Sequence, residues 1–146
     1  MRVRLEWLRR RRLALGSETD RIGQWGEQQA EKRLRALGWR LLGRRVRSGR
    51  RGEIDLLFRD GETLVFVEVK TRASEDYGAP ATAVDHAKRT QLSHSALAYL
   101  RRLRVKPRHF RFDVVEVIGH PESAEPPIIR HIVNAFPLEG KYFIPW

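Results

Sequence analysis

Two short apolar runs, Gly52-Glu53-Ile54-Asp55-Leu56-Leu57-Phe58 and Leu64-Val65-Phe66-Val67-Glu68-Val69-Lys70-Thr71-Arg72, flank the polar tetrad Arg59-Asp60-Gly61-Glu62. β-Branched and aromatic residues dominate both, and an Asp-Gly pair between such runs is a strong hairpin signal, so the pattern predicts two adjacent antiparallel strands. Upstream, Ile22, Trp25, Gln29-Ala30, Arg33-Leu34 and Leu37 recur at helical spacing. Ser17-Glu18-Thr19-Asp20 offers N-caps and Gly38 a stop, which bounds a first helix ending at Ala36 or Leu37. Gly23 and Gly26 lie on it and cost helix propensity, which points to close packing against the sheet. Trp39 to Leu42 reads as a first strand. A second helix is expected from Ala81 to Leu103, burying Val84, Ala87, Leu92, Ala96, Tyr99, Leu100 and Leu103. Phe110–Ile118 and Ile128–Val133 read as closing strands, joined by the Pro-containing loop 119–127. The order gives an α/β fold: an α/β/α sandwich around a mixed sheet with an antiparallel hairpin core. Residues 17–136 form its single domain, preceded by a basic leader (1–16) and followed by an aromatic tail (137–146).

Asp55, Glu68 and Lys70 stand among residues that should be buried, where a charge is costly unless compensated. A two-residue turn at Asp60-Gly61 pairs Arg59 with Glu62, Asp55 with Phe66 and Glu53 with Glu68. Period-2 alternation then places Glu53, Asp55, Leu57, Phe66, Glu68 and Lys70 on one face. Asp55 and Glu68 become diagonal neighbours, with Cβ atoms roughly 7–8 Å apart. Carboxylates so placed can share one hard cation, such as Mg²⁺ or Mn²⁺. A structural network of mutually neutralising charges is the alternative, but one lysine offsets only one of two acids.

The spacing of Asp55 from Glu68-Val69-Lys70 resembles the PD-(D/E)xK nuclease core of restriction endonucleases and archaeal Holliday-junction resolvases. More narrowly, Gly52–Leu56, Val65–Arg72, Arg111–Val115 and His131–Phe136 are similar to the YraN-like family of small bacterial proteins. Ile54 stands where the superfamily name calls for Pro. The resemblance implies a restriction-endonuclease-like fold and a metal-dependent endonuclease. Asp55, Glu68 and the Val69 carbonyl would hold Mg²⁺ or Mn²⁺, Glu27 on the first helix would assist, and Lys70 would orient and activate the attacking water. Resolvase relatives work as dimers, so a homodimer is also implied.

Charge adds a partner. The chain has 146 residues, 29 Lys+Arg against 18 Asp+Glu, and a formal net charge of +11. Such a balance favours a polyanion, and nucleic acid (DNA first) ahead of a membrane surface. Arg44, Arg45, Arg47, Arg50 and Arg51, on a Gly-punctuated segment read as a flexible loop running into the Asp55 strand, and Arg72, are the candidates for gripping phosphates. The leader's Arg9-Arg10-Arg11-Arg12 reads as a solvated charge run, or, with Leu5, Trp7, Leu8, Leu13 and Leu15, as a short amphipathic helix. Without cysteine there is neither a disulfide framework nor a thiolate metal site, and the five histidines lack zinc-site spacing. No apolar run approaches the roughly 18 residues of a spanning helix, which makes a cytoplasmic protein the expectation. Asp113 reads as a partner for a core arginine, and Lys88 and Gln91 as surface residues that could edge towards the site. A non-catalytic nucleic-acid-binding module and a protein-interaction factor remain open as alternatives.

Overall fold

The computed structural model describes residues 2–50, 52–75 and 84–139, with side chains from Gly16 onward. In chain order the elements are α1 (Arg2–Ala36), β1 (Arg40–Val46), β2 (Ile54–Asp60), β3 (Thr63–Arg72), α2 (His86–Arg102), β4 (His109–Ile118) and β5 (Ile128–Phe136). The strands form one sheet in sequence order, antiparallel at every junction except β3–β4. That junction is parallel because α2 carries the chain back across the sheet between the two strands.

Each helix covers one face. Ala30 and Leu34 of α1 are buried with Leu56, Phe58, Val65, Val67, Val115 and Val117. Leu92, Ala96, Leu97 and Leu100 of α2 are buried with Leu57, Phe66, Phe112, Val114 and Phe136. Phe112 and Phe136 stack at 4.9 Å between centroids, a geometry that adds to the area they bury. The expected α/β/α sandwich around a mixed sheet is therefore borne out, and the arrangement is consistent with a restriction-endonuclease-like fold. Among the described residues, no helix is long and apolar enough to cross a membrane.

Several boundaries differ from the sequence expectation. The first helix does not begin at Ser17–Asp20: α1 runs unbroken from Arg2 over 35 residues, about 52 Å. Arg, Leu, Ala and Glu are strong helix formers, and the propensity cost of Ser, Thr and Asp is too small to interrupt them. The first strand does not stop at Leu42, so Arg44 and Arg45 lie on β1 rather than in a loop. The hairpin turns on Gly61-Glu62, with Asp60 opposite Thr63, and not on Asp60-Gly61. Gly61 has φ +57°, which suits the glycine at the first central position of a II′-type turn, and Arg59 Nε donates to its carbonyl at 2.9 Å. The second helix starts at His86, where the Asp85 side chain caps it by accepting the Lys88 N–H. Ala87 is consequently exposed, as are Arg33 and Leu37 at the end of α1, while Leu97 is buried.

Asp113 fulfils its expected role. It is fully buried and accepts Arg111 Nε at 2.9 Å and the Asn134 N–H at 2.9 Å, with His131 Nε2 at 2.8 Å. Burial pushes its carboxyl up, but His131, Arg111 and the Asn134 N–H outweigh that and hold it below the usual range. The chain leaves β5 along α2, where the Glu139 N–H donates to Ser93 Oγ and its carboxylate pairs with Arg89 at 3.2 Å. The side chains of the leader, Arg51, the loop of Tyr77 and Gly78, the expected helix start at Ala81 and the tail 140–146 lie outside the described residues.

Close packing is required at Gly26 but not at Gly23, which has open space around it. A Cβ at Gly26 would overlap Thr71 Oγ1 and stand 3.0 Å from Thr71 Cβ. Thr71 is β-branched and cannot swing clear. Gly26→Ala is expected to lower stability by about 1–3 kcal/mol despite its better helix propensity. Adding Thr71→Ala should restore most of that loss. Urea denaturation of the single and double variants checks both.

Candidate active site

The site is built where the β2–β3 ladder ends. Paired residues run from Asp60 and Thr63 down to Leu56 and Val67. Phe66 therefore stands opposite Leu57, not opposite Asp55 as the sequence reading had it, and Asp55 lies just beyond the ladder, near enough to Glu68 for the two carboxylates to interact. The turn moves each pairing by two residues in total, an even number, so Leu57 and Phe66 keep the same face. Beyond Leu56 the carboxylate of Asp55 serves as a ladder acceptor, taking the Val69 N–H on Oδ2 at 2.8 Å. Val69 thus contributes its amide to the site's architecture, whereas the sequence reading assigned it a carbonyl ligand.

Glu68 is buried. Its Oε1 faces Lys70 Nζ at 3.6 Å and Lys88 Nζ at 3.4 Å. Its Oε2 is buried with no hydrogen-bond partner. Asp55 is only partly exposed, and burial, reinforced by the charge of Glu68, pushes its carboxyl up to about 7. The Val69 N–H and the Lys88 charge pull it the other way without prevailing.

Lys88 enters this group because the Asp85 cap fixes the first turn of α2 and aims it at the end of β3. The sequence reading favoured a plain surface lysine, having placed the helix start too early to see that cap. One turn on, Gln91 packs against Gly52, where a Cβ would lie 2.5 Å from its side chain. Gly49 packs likewise on His94 and Ala98. Both glycines have φ near +80°, and at these two positions the stretch before β2 lies against α2.

The arginines expected to grip phosphate occupy several places. Arg44 makes two 2.7 Å bonds to Glu31 of α1, and Arg45 pairs with Glu27 at 3.0 Å. Arg45 adopts φ +47°, uncommon for a residue with a side chain. Arg47 pairs with Glu53 at 3.1 Å, Arg50 is exposed, and Arg72 meets Glu116 at 3.2 Å. Glu27 lies within electrostatic reach of Asp55. Burial raises its carboxyl, Arg45 opposes that, and the Asp55 charge adds to the rise. Among the described residues, no three His, Asp or Glu side chains group closely enough to hold a metal ion. Glu116 and Arg130 were missed by the sequence reading, although Glu116 follows Val114 by two residues and so shares its face.

A family model described as uncharacterised protein family UPF0102 matches residues 26–117, a stretch that includes Glu27, Asp55, Glu68, Lys70 and Lys88. The UPF0102 protein of Symbiobacterium thermophilum is 51% identical over 116 residues, covering 80% of this chain and 96% of its own length. The one from Geobacter sulfurreducens is 45% identical over 125 residues, covering 84% and 94%. A third, from Persephonella marina, is 38% identical over 117 residues, covering 80% and 94%.

The raised Asp55 carboxyl has a consequence for stability. The folded protein holds this proton to about pH 7 while the unfolded chain releases it near 3.8. The stabilisation is therefore complete below the lower value and is lost as pH rises through the upper one. In chelator, stability should fall by about 1–3 kcal/mol between about pH 5 and about pH 8, and Asp55→Asn should flatten that slope. Urea unfolding at the two pH values measures it.

Proposed function

Taking as premise that this chain belongs to the uncharacterised family UPF0102, we propose that it is a divalent-cation-dependent nuclease. The observation that carries the reading is the acidic pair itself: buried Glu68 with a partnerless oxygen, facing an Asp55 whose carboxyl is driven towards neutrality. Carboxylate oxygens suit Mg²⁺ or Mn²⁺, and an ion there would satisfy Glu68 Oε2 and remove the repulsion in one step. Asp55 and Glu68 would hold it, with the Val69 carbonyl and Glu27 as the further ligands that the resemblance to PD-(D/E)xK nucleases implies. When bound, the ion supplies Lewis-acid polarisation of a phosphate oxygen.

The chain's own residues do the rest. The Val69 amide fixes Asp55 through Oδ2. Lys88 balances Glu68 from the helix side, which leaves the more exposed Lys70 to meet substrate. The Lys70 ammonium would orient the attacking water and donate to the phosphate oxygens as negative charge develops on them. The net charge of +11 supports a nucleic-acid substrate, with DNA favoured and branched or structured forms included.

The test is a panel of linear, flap and junction DNA with RNA counterparts, incubated with Mg²⁺ or Mn²⁺. Wild type should nick at least one member. Asp55→Ala and Lys70→Ala should each lose about a hundredfold or more in rate, with affinity changed only several-fold. Cleavage that survives both substitutions contradicts the assignment. Binding without any cleavage by wild type replaces it with the non-catalytic binding module.

A further inference from the structure

Past the N-terminal end of α2, the sheet face that carries Glu68 continues into a second charged group. Lys70, Glu116 and Arg130 stand in register across β3, β4 and β5, and Arg72 follows Lys70 on the same face. Glu116 is buried. Its Oε1 meets Arg72 Nε at 3.2 Å and its Oε2 meets Arg130 Nη1 at 3.6 Å. The other terminal nitrogen of Arg130 pairs with Glu75.

These two arginines are not equivalent. A buried carboxylate needs a compensating charge, and Arg72, whose side chain is 21% exposed, supplies it at close range. Arg130 comes from an edge strand, is 53% exposed, contacts Glu116 at longer range and leans on a Glu75 that is itself 50% exposed. An exposed ion pair of this kind contributes little to stability. A phosphate, by contrast, engages a guanidinium through parallel charge-assisted bonds. β3 and β5 lie two strand spacings apart, about 9.5 Å, and the two cations serve different acids, Lys70 at Glu68 and Arg130 at Glu116 and Glu75.

We propose that Arg130, steadied by Glu116 beside Arg72, binds a backbone phosphate neighbouring the one engaged at Asp55, Glu68 and Lys70, and that Glu75 occupies this guanidinium until the phosphate displaces it. The inference rests on the nuclease reading for the identity of the first phosphate. It narrows the substrate class to a polynucleotide, since a small isolated phosphodiester would leave the second position empty.

The test is fluorescence anisotropy of a fluorescein-labelled mixed-sequence DNA duplex, in EDTA so that nothing is cleaved, across a range of salt. Arg130→Ala should weaken binding about tenfold and reduce the salt slope by about one. Glu75→Gln should do the opposite and tighten binding several-fold. Arg102→Ala removes the same charge at the far, exposed end of α2 and should change little. Loss of either charge alone shifts affinity for a polyanion slightly, by the amount that Arg102→Ala measures, so the opposed shifts count for the site where they exceed it. Circular dichroism checks folding, and Arg130→Gln takes the place of Arg130→Ala if the latter unfolds. The site is overturned if the Arg130 and Glu75 variants behave like Arg102→Ala, or if wild type fails to bind the duplex. Should the opposed shifts appear in a protein that cleaves nothing, the nuclease reading falls and the phosphate site stands.

Discussion

Two like charges facing each other at the open end of a β-hairpin set the terms for the rest of this molecule. Asp55 and Glu68 come within reach of each other where the β2–β3 ladder, which runs from a Gly61-Glu62 turn, ends. The surrounding elements are arranged to hold that pair. The Val69 amide takes one oxygen of Asp55, and the capped start of α2 supplies Lys88 to Glu68. Gly26 lets α1 lie against Thr71, which carries the neighbouring Glu27 towards the same end of the sheet. A shift of one residue in the hairpin would turn one acid to the opposite face and dissolve the arrangement.

Asp113 and Glu68 are two buried carboxylates in different surroundings. Asp113 is fully buried, yet Arg111, His131 and the Asn134 amide satisfy both its oxygens, and its carboxyl is held low. Glu68 is nearly as buried, but its cationic neighbours stand at 3.4 and 3.6 Å on one oxygen, and the other has no partner. A buried group left unsatisfied costs about 1–3 kcal/mol, and more when charged. At Glu68 the neighbouring Asp55 carboxyl, raised by burial and by Glu68, offsets part of that cost when protonated, and the proposed cation would offset it instead.

The hairpin, the two layers of helix and the common face of Leu57 and Phe66 were legible because alternation with period 2 survives any even error in register. The pairing of Phe66 with Leu57 instead of Asp55 was not, because an Asp-Gly signal cannot distinguish a turn on Asp60-Gly61 from one on Gly61-Glu62. Lys88 was undervalued for a related reason. Its position depends on the Asp85 cap, which the apolar pattern extending back to Ala81 concealed. Arg44 and Arg45 looked like loop residues beside Gly43, yet β1 continues through them, and glutamates of α1 that sequence distance hides take up their charge. The Glu116–Arg130 contact joins β4 to the edge strand β5, a pairing that no local pattern announces.

The central claim is that Asp55 and Glu68 form a cation site. Electron paramagnetic resonance of Mn²⁺ titrated into the metal-free protein tests it most directly. The account predicts one saturable Mn²⁺ per chain, lost in Glu68→Gln and sharply weakened in Asp55→Asn, while the folded structure persists in both. Retention of no ion by wild type, or equal retention by the two variants, would contradict it.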